Sequence, residues 1–143
     1  MATTAAWAAR VTKAILIVED DPAVVRILKS ALGMFQREHT FKIEVAEDGA
    51  DALAALQRVR FDLVLLDLYM PRMCGLELLA HMRRLGMRIP VLLLTGNNDT
   101  RVAVAADALA TGIFAYIPKP LDLLRLDHLV WLAMSLETSE VDQ

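Results

Sequence analysis

The chain has 143 residues, of which 56% are apolar, with a formal net charge of −3 and a single cysteine, Cys74. That length suits one domain with a substantial core. The acidic balance offers no basic footprint for nucleic acid, one thiol excludes an internal disulfide framework and fits a reducing cytoplasm, and no apolar run reaches the length of a membrane span.

Residues 1–13 lack acids, carry Arg10 and Lys13, and have no unbroken apolar stretch, so they read as an N-terminal extension and not a secretory signal. Ile15-Leu16-Ile17-Val18 is a short β-branched run and marks the first buried strand. Glu19, Asp20 and Asp21 follow, then Pro22 and a helical spacing of apolar residues at Val24, Leu28, Ala31 and Leu32. Pro22 suits the first helical position, which makes Asp21 the N-cap and leaves Glu19 and Asp20 in the strand-to-helix loop for another task. Gly33 is expected to end or interrupt this helix.

Phe41 to Ala46 alternates apolar and polar, as a half-exposed edge strand does. Asp48 can cap a second helix whose inner face carries Ala52, Leu53 and Leu56. Leu63-Val64-Leu65-Leu66 is continuously apolar and reads as a strand buried on both faces, ending at Asp67. Leu76, Leu79 and Met82 mark a third helix, stopped near Gly86. Val91-Leu92-Leu93-Leu94 is another apolar strand, closed by Thr95-Gly96-Asn97-Asn98. Val102, Ala105, Ala106 and Leu109 mark an alanine-rich fourth helix, ended by Gly112. Ile113 to Ile117 is a fifth strand before Pro118-Lys119-Pro120. Leu123, Leu126, Leu129, Val130 and Ala133 mark the last helix, and the chain after Leu136 is a polar tail.

Five strands alternating with five helices imply an α/β fold with a doubly wound parallel sheet and right-handed crossovers. The three apolar strands belong at the centre and strands two and five at the edges, giving the order 2-1-3-4-5. This is the established flavodoxin-like order. The expected organisation is an extension over 1–13, one domain over 14–136 and a tail over 137–143.

Polar residues then gather at the carboxyl ends of the strands: Glu19 and Asp20 after strand one, Asp67 on strand three, Thr95 on strand four and Lys119 after strand five. Carboxylates this close repel unless a cation compensates them. Mg²⁺ takes hard oxygen ligands and keeps some waters. A carboxylate can attack phosphorus to form an acyl phosphate, with a lysine, a hydroxyl and a metal neutralising the equatorial oxygens. His39, His81 and His128 fall on expected helices or loops away from this edge.

The segments Ile-Leu-Ile-Val-Glu-Asp-Asp-Pro at 15–22, Asp-Leu-Val-Leu-Leu-Asp-Leu-Tyr-Met-Pro at 62–71, Gly75, Leu-Leu-Leu-Thr-Gly at 92–96 and Tyr-Ile-Pro-Lys-Pro at 116–120 together resemble the receiver domain of bacterial two-component response regulators. The resemblance covers about 14–136. It implies that Asp67 accepts a phosphoryl group from a histidine kinase or histidine phosphotransfer protein. It implies Mg²⁺ ligation by Asp20, Asp67 and the backbone carbonyl of Tyr69, with Glu19 acting through water. Thr95 and Lys119 would bind phosphoryl oxygens, Thr95 and Tyr116 would form the conformational switch, and the Lys119–Pro120 bond would be cis.

Glu19 replaces the family's commoner aspartate, and Gly96 stands where alanine is frequent. Tyr69, beside the acceptor, would shield the acyl phosphate and lengthen its life. The fourth helix, fifth strand and last helix would form a homodimer or target contact. No output domain follows residue 136, which suggests a receiver that stands alone or is cut from a longer protein. The implied role is a cytoplasmic signalling switch and not an enzyme with turnover. Two alternatives are a Mg²⁺-dependent phosphohydrolase of the haloacid dehalogenase type, disfavoured because Tyr69 stands where such enzymes place a second acid, and a degenerate receiver that serves only as a scaffold.

Overall fold

A computed structural model describes residues 11–35, 39–68, 75–95 and 113–141. The expected fourth helix, with Gly112, lies outside the described residues, as do Tyr69, Cys74, Gly96 and Asn97. The strands are β1 (Val11–Val18), β2 (His39–Ala46), β3 (Leu63–Asp67), β4 (Val91–Thr95) and β5 (Ile113–Pro118). The described helices are α1 (Pro22–Met34), α2 (Gly49–Arg58), α3 (Gly75–Arg84) and α4 (Leu123–Val141). All strands pair in parallel in the order β2-β1-β3-β4-β5.

Side chains of alternating residues leave a strand on opposite faces, and this splits the apolar strands into two cores. Ile15, Ile17, Leu63, Leu65, Leu92 and Leu94 pack with Leu28 and Leu32 of α1 and Leu126, Val130 and Ala133 of α4. Leu16, Val18, Val64, Leu66, Val91 and Leu93 pack with Ala52 and Leu56 of α2 and Leu78 and Met82 of α3. Burying both faces of 15–18, 63–66 and 91–94 is what lets those stretches be wholly apolar. Fully burying one such leucine contributes roughly 1.5–3 kcal/mol.

The expected caps are present. Asp21 Oδ1 accepts from the Ala23 amide at 2.9 Å, and Asp48 Oδ1 accepts from the Asp51 amide at 2.8 Å. Three expectations need correcting. Residues 11–13, assigned to the extension, are strand, because β1 and β2 pair outward as far as Val11 and His39. His39 therefore lies in β2 and not in a helix or loop, though at the strand's amino end, away from Asp67. The Val11-Thr12-Lys13 segment is held by backbone pairing at half-exposed positions, which no apolar run announces. Finally, α1 runs through Gly33 to Met34. Gly33 does not break it, whereas Gly86, with φ of 71°, does follow α3 as a stop.

Candidate phosphoacceptor site

Parallel strands in this order bring their carboxyl ends to one edge, and the central pair β1 and β3 delivers acids there. Val18 pairs with Leu66, and Asp67 pairs with Leu94 of β4. The Glu19 amide donates to the Ala46 carbonyl at 3.0 Å, which extends the β1–β2 ladder one residue and fixes where the Glu19 side chain starts. Glu19 and Asp67 are 1% and 3% exposed, respectively. Asp20, with Asp21 occupied as the cap of α1, is exposed at the mouth.

Lys119 bridges the two buried acids. Its Nζ lies 3.2 Å from Glu19 Oε1 and 3.4 Å from Asp67 Oδ2. The second Glu19 oxygen, Oε2, accepts from the Asp21 amide at 3.2 Å. Lys119 leaves β5 through a cis bond to Pro120. Burial and the adjacent Asp67 push the Glu19 carboxyl up from 4.5 to about 7, against the Asp21 amide and Lys119, which pull it down. Burial alone would lower the Lys119 ammonium, but Asp67 and Glu19 outweigh it and hold the group above its usual value. One ammonium therefore does not fully compensate the acids.

Glu19, Asp20 and Asp67 each place one oxygen so that all three lie within 4.8 Å of one another. Hard oxygen donors this close, carrying more negative charge than Lys119 offsets, fit a divalent ion of the Mg²⁺ type. Of the other expected site residues, Thr95 ends β4 in register with Pro118, and the Tyr69 carbonyl falls outside the described residues. Tyr116 is half-buried on β5, in register with Leu93 and packed against the α2–α3 side of the sheet. Its carbonyl accepts from Arg125 Nη2 at 3.4 Å.

Two supports of the site were not read from the sequence as such. Gly75, noted only as part of a motif, opens α3 against the end of β3: its amide donates to the Leu68 carbonyl at 3.2 Å. A Cβ there would lie 2.8 Å from Leu68 Cα and 3.1 Å from the Asp67 carbonyl oxygen, so glycine is what allows the helix to start this close to Asp67. Asp62 accepts from the Ala14 amide at 2.8 Å, tying β3 to β1 at the other end. A groove of about 550 Å³ also opens beside Lys119, lined by Val24, Ile27, Pro120, Leu121 and Leu123.

The response regulator receiver domain model matches residues 15–130. Regulatory protein AtoC of Escherichia coli (strain K12) is 36% identical over 124 residues, covering 87% of this chain and 26% of that protein. Response regulator MprA of Mycobacterium leprae is 38% identical over 112 residues, covering 78% of this chain and 46% of that protein. The chain thus spans about a quarter to a half of the length of these curated relatives. Among solved structures, a CheY-like receiver domain protein from Methanospirillum hungatei superposes with a TM-score of 0.79 at 28% identity, covering 90% of this chain and 98% of that one. The signal receiver domain of an HD domain-containing protein from Pseudomonas fluorescens gives 0.79 at 27% identity, covering 92% and 93%.

Proposed function

The chain belongs to the family of response regulator receiver domains of two-component systems, and from that premise we propose that it is a phosphoacceptor switch in which Asp67 takes a phosphoryl group from a histidine kinase or histidine phosphotransfer protein. The observation that carries this is the Lys119 ammonium 3.4 Å from a carboxylate buried at the end of a central strand. An acid that merely capped a loop would need neither that burial nor that partner.

The acceptor needs no base, because a carboxylate oxygen attacks phosphorus without giving up a proton. An Asp67 oxygen attacks phosphorus in line, the N–P bond of the donor phosphohistidine breaks, and its electron pair returns to the imidazole ring. Lys119 stays within reach of the equatorial oxygens and neutralises charge that builds there. The Thr95 hydroxyl then binds one phosphoryl oxygen. Glu19 holds Lys119 in place and, with the Asp21 amide, keeps the loop after β1 fixed. Asp20, Asp67 and the Tyr69 carbonyl would hold Mg²⁺ with Glu19 acting through water, and the bound ion would supply further neutralisation of the phosphoryl oxygens.

The apolar groove beside Lys119 suits a helix of the donor that carries the phosphohistidine, since Lys119 itself lines it. Modification draws Thr95 toward the phosphoryl group and lets Tyr116 move, shifting a pre-existing two-state equilibrium and with it the affinity for a target. Contacts through β5 and α4 would serve a target or a second copy. No described helix is long and apolar enough to cross a membrane, and a cytoplasmic site of action agrees with the proposed donor.

Incubation with acetyl phosphate and Mg²⁺, followed by intact mass, tests the reading. Addition of one phosphoryl group, abolished by Asp67→Asn, is expected. Continuous release of phosphate from many esters would favour a phosphohydrolase, and no addition at all would favour a scaffold.

A further inference from the structure

We propose that the amino edge of the sheet, opposite Asp67, carries a docking surface for an acidic peptide segment that also presents an apolar side chain. The helices run antiparallel to the strands, so their C-terminal ends and the loops that feed β3 and β4 gather at this edge. Arg58 ends α2 and Arg60 leads toward β3, while Arg83 and Arg84 end α3 and Arg88 leads toward β4. All five arginines are exposed. Arg58, Arg83 and Arg84 complement the negative ends of their helices, which accounts for three of them. Arg60 and Arg88 lie beyond the helix ends, in the segments that lead into β3 and β4.

Magnitudes favour a surface that stays positive. On the α2–α3 side of this edge the two helix ends contribute about half a negative charge each, and Glu44 and Asp62 contribute two full ones. With exposed Lys42 added to the five arginines, a net of about +3 remains, on a chain whose total is −3.

The surface is also shaped. A groove of about 330 Å³ is walled by Leu56, Val59, Met87 and Ile89, with Arg58 and Arg60 on its border. A second groove of about 230 Å³ shares Arg58 and Val59 and adds Lys42 and Phe61. Arginine forks pair with carboxylates in two-point fashion. Arg58 already shows an arginine–carboxylate contact here, with Nη2 2.8 Å from Glu44 Oε1. An apolar floor between cationic borders fits a leucine-like side chain flanked by acids. A nucleic-acid backbone would leave that floor unused.

A fluorescein-labelled peptide with two leucines spaced among glutamates is the probe, compared with an all-glutamate peptide of the same length and a short single-stranded oligonucleotide. Anisotropy should show the leucine-bearing peptide binding roughly tenfold tighter than the all-glutamate one, and the exposed double variant Arg60→Glu/Arg88→Glu weakening it by roughly tenfold or more. Amide shift changes on the unaltered protein should map to 56–61 and 83–89, so the reading survives even if the variant unfolds. Asp67→Asn should leave binding unchanged. Equal binding of the two peptides, unchanged binding to a folded double variant, shifts at the carboxyl edge, or tighter binding of the oligonucleotide would each overturn the proposal.

Discussion

Replacing a glycine by alanine should have opposite effects at two helical positions of this chain. At Gly75 the new Cβ would lie 2.8 Å from both Leu68 Cα and Leu68 Cδ2, and 3.1 Å from the Asp67 carbonyl oxygen. One of those neighbours is flexible, but two are backbone, so the end of β3 or the start of α3 must move. Such overpacking costs about 1–3 kcal/mol, and the helix-propensity gain of alanine over glycine, at most about 1 kcal/mol, is smaller in the first turn. The expected net is a loss of about 1–2 kcal/mol, or roughly 3–8 °C in Tm for a domain of this size. At Gly33 an added methyl would meet nothing within 4 Å, and φ is not in the left-handed region. Alanine there should gain about 0.5–1 kcal/mol. Urea and thermal unfolding of both variants measure this. Because Gly75 abuts the carbonyl of Asp67, the proposed acceptor, its variant should also label more slowly with acetyl phosphate, while Gly33→Ala labels normally. Equal stability of Gly75→Ala and the parent, or a comparable loss at Gly33, would refute the packing argument.

Other outcomes follow from the same geometry. Asp21→Ala removes the cap of α1 and should cost about 1 kcal/mol with little change in labelling, since Asp21 contributes its amide, not its carboxylate, to Glu19. Lys119→Ala leaves two buried acids without their ammonium, so titration should show tighter Mg²⁺ binding while labelling slows by roughly tenfold or more. The Glu19 carboxyl is raised from 4.5 to about 7 on folding. Its contribution to stability is therefore fully present below its unfolded value and lost as pH rises through about 7. Without divalent ions, the urea midpoint should fall between about pH 5 and pH 8, and Glu19→Gln should flatten that part of the profile. Over the same range Mg²⁺ affinity should rise, because loss of the Glu19 proton adds a negative charge beside the groups that would hold the ion.

The sheet order was legible because burial on two faces leaves a plain mark: Leu63 to Leu66 and Val91 to Leu94 are apolar at every position, while Phe41 to Ala46 alternates. Asp21 and Asp48 were legible as caps because each precedes a helical spacing and, at Asp21, a proline. The approach of Glu19, Asp67 and Lys119 followed from strand order alone, since all three lie at carboxyl ends of strands in one sheet. What the sequence could not show was distance. Nothing in Glu19 indicates that its longer side chain reaches Lys119 and pairs at 3.2 Å. Gly75 resembles any loop glycine until Leu68 is seen beneath it. The strand at 11–13 was missed because backbone pairing at an exposed edge demands no particular side chain. The arginines at 58, 60, 83, 84 and 88 were scattered in the sequence, and only the antiparallel run of the helices collects them.

The most direct test of the central claim is to label the protein with acetyl phosphate and Mg²⁺, reduce it with borohydride, and map the peptides by mass. Reduction turns an aspartyl phosphate into homoserine. Homoserine at position 67, dependent on labelling and absent elsewhere, is the expected result. A phosphoryl group that persists on the protein with no homoserine at 67, or homoserine at another acid, would contradict it.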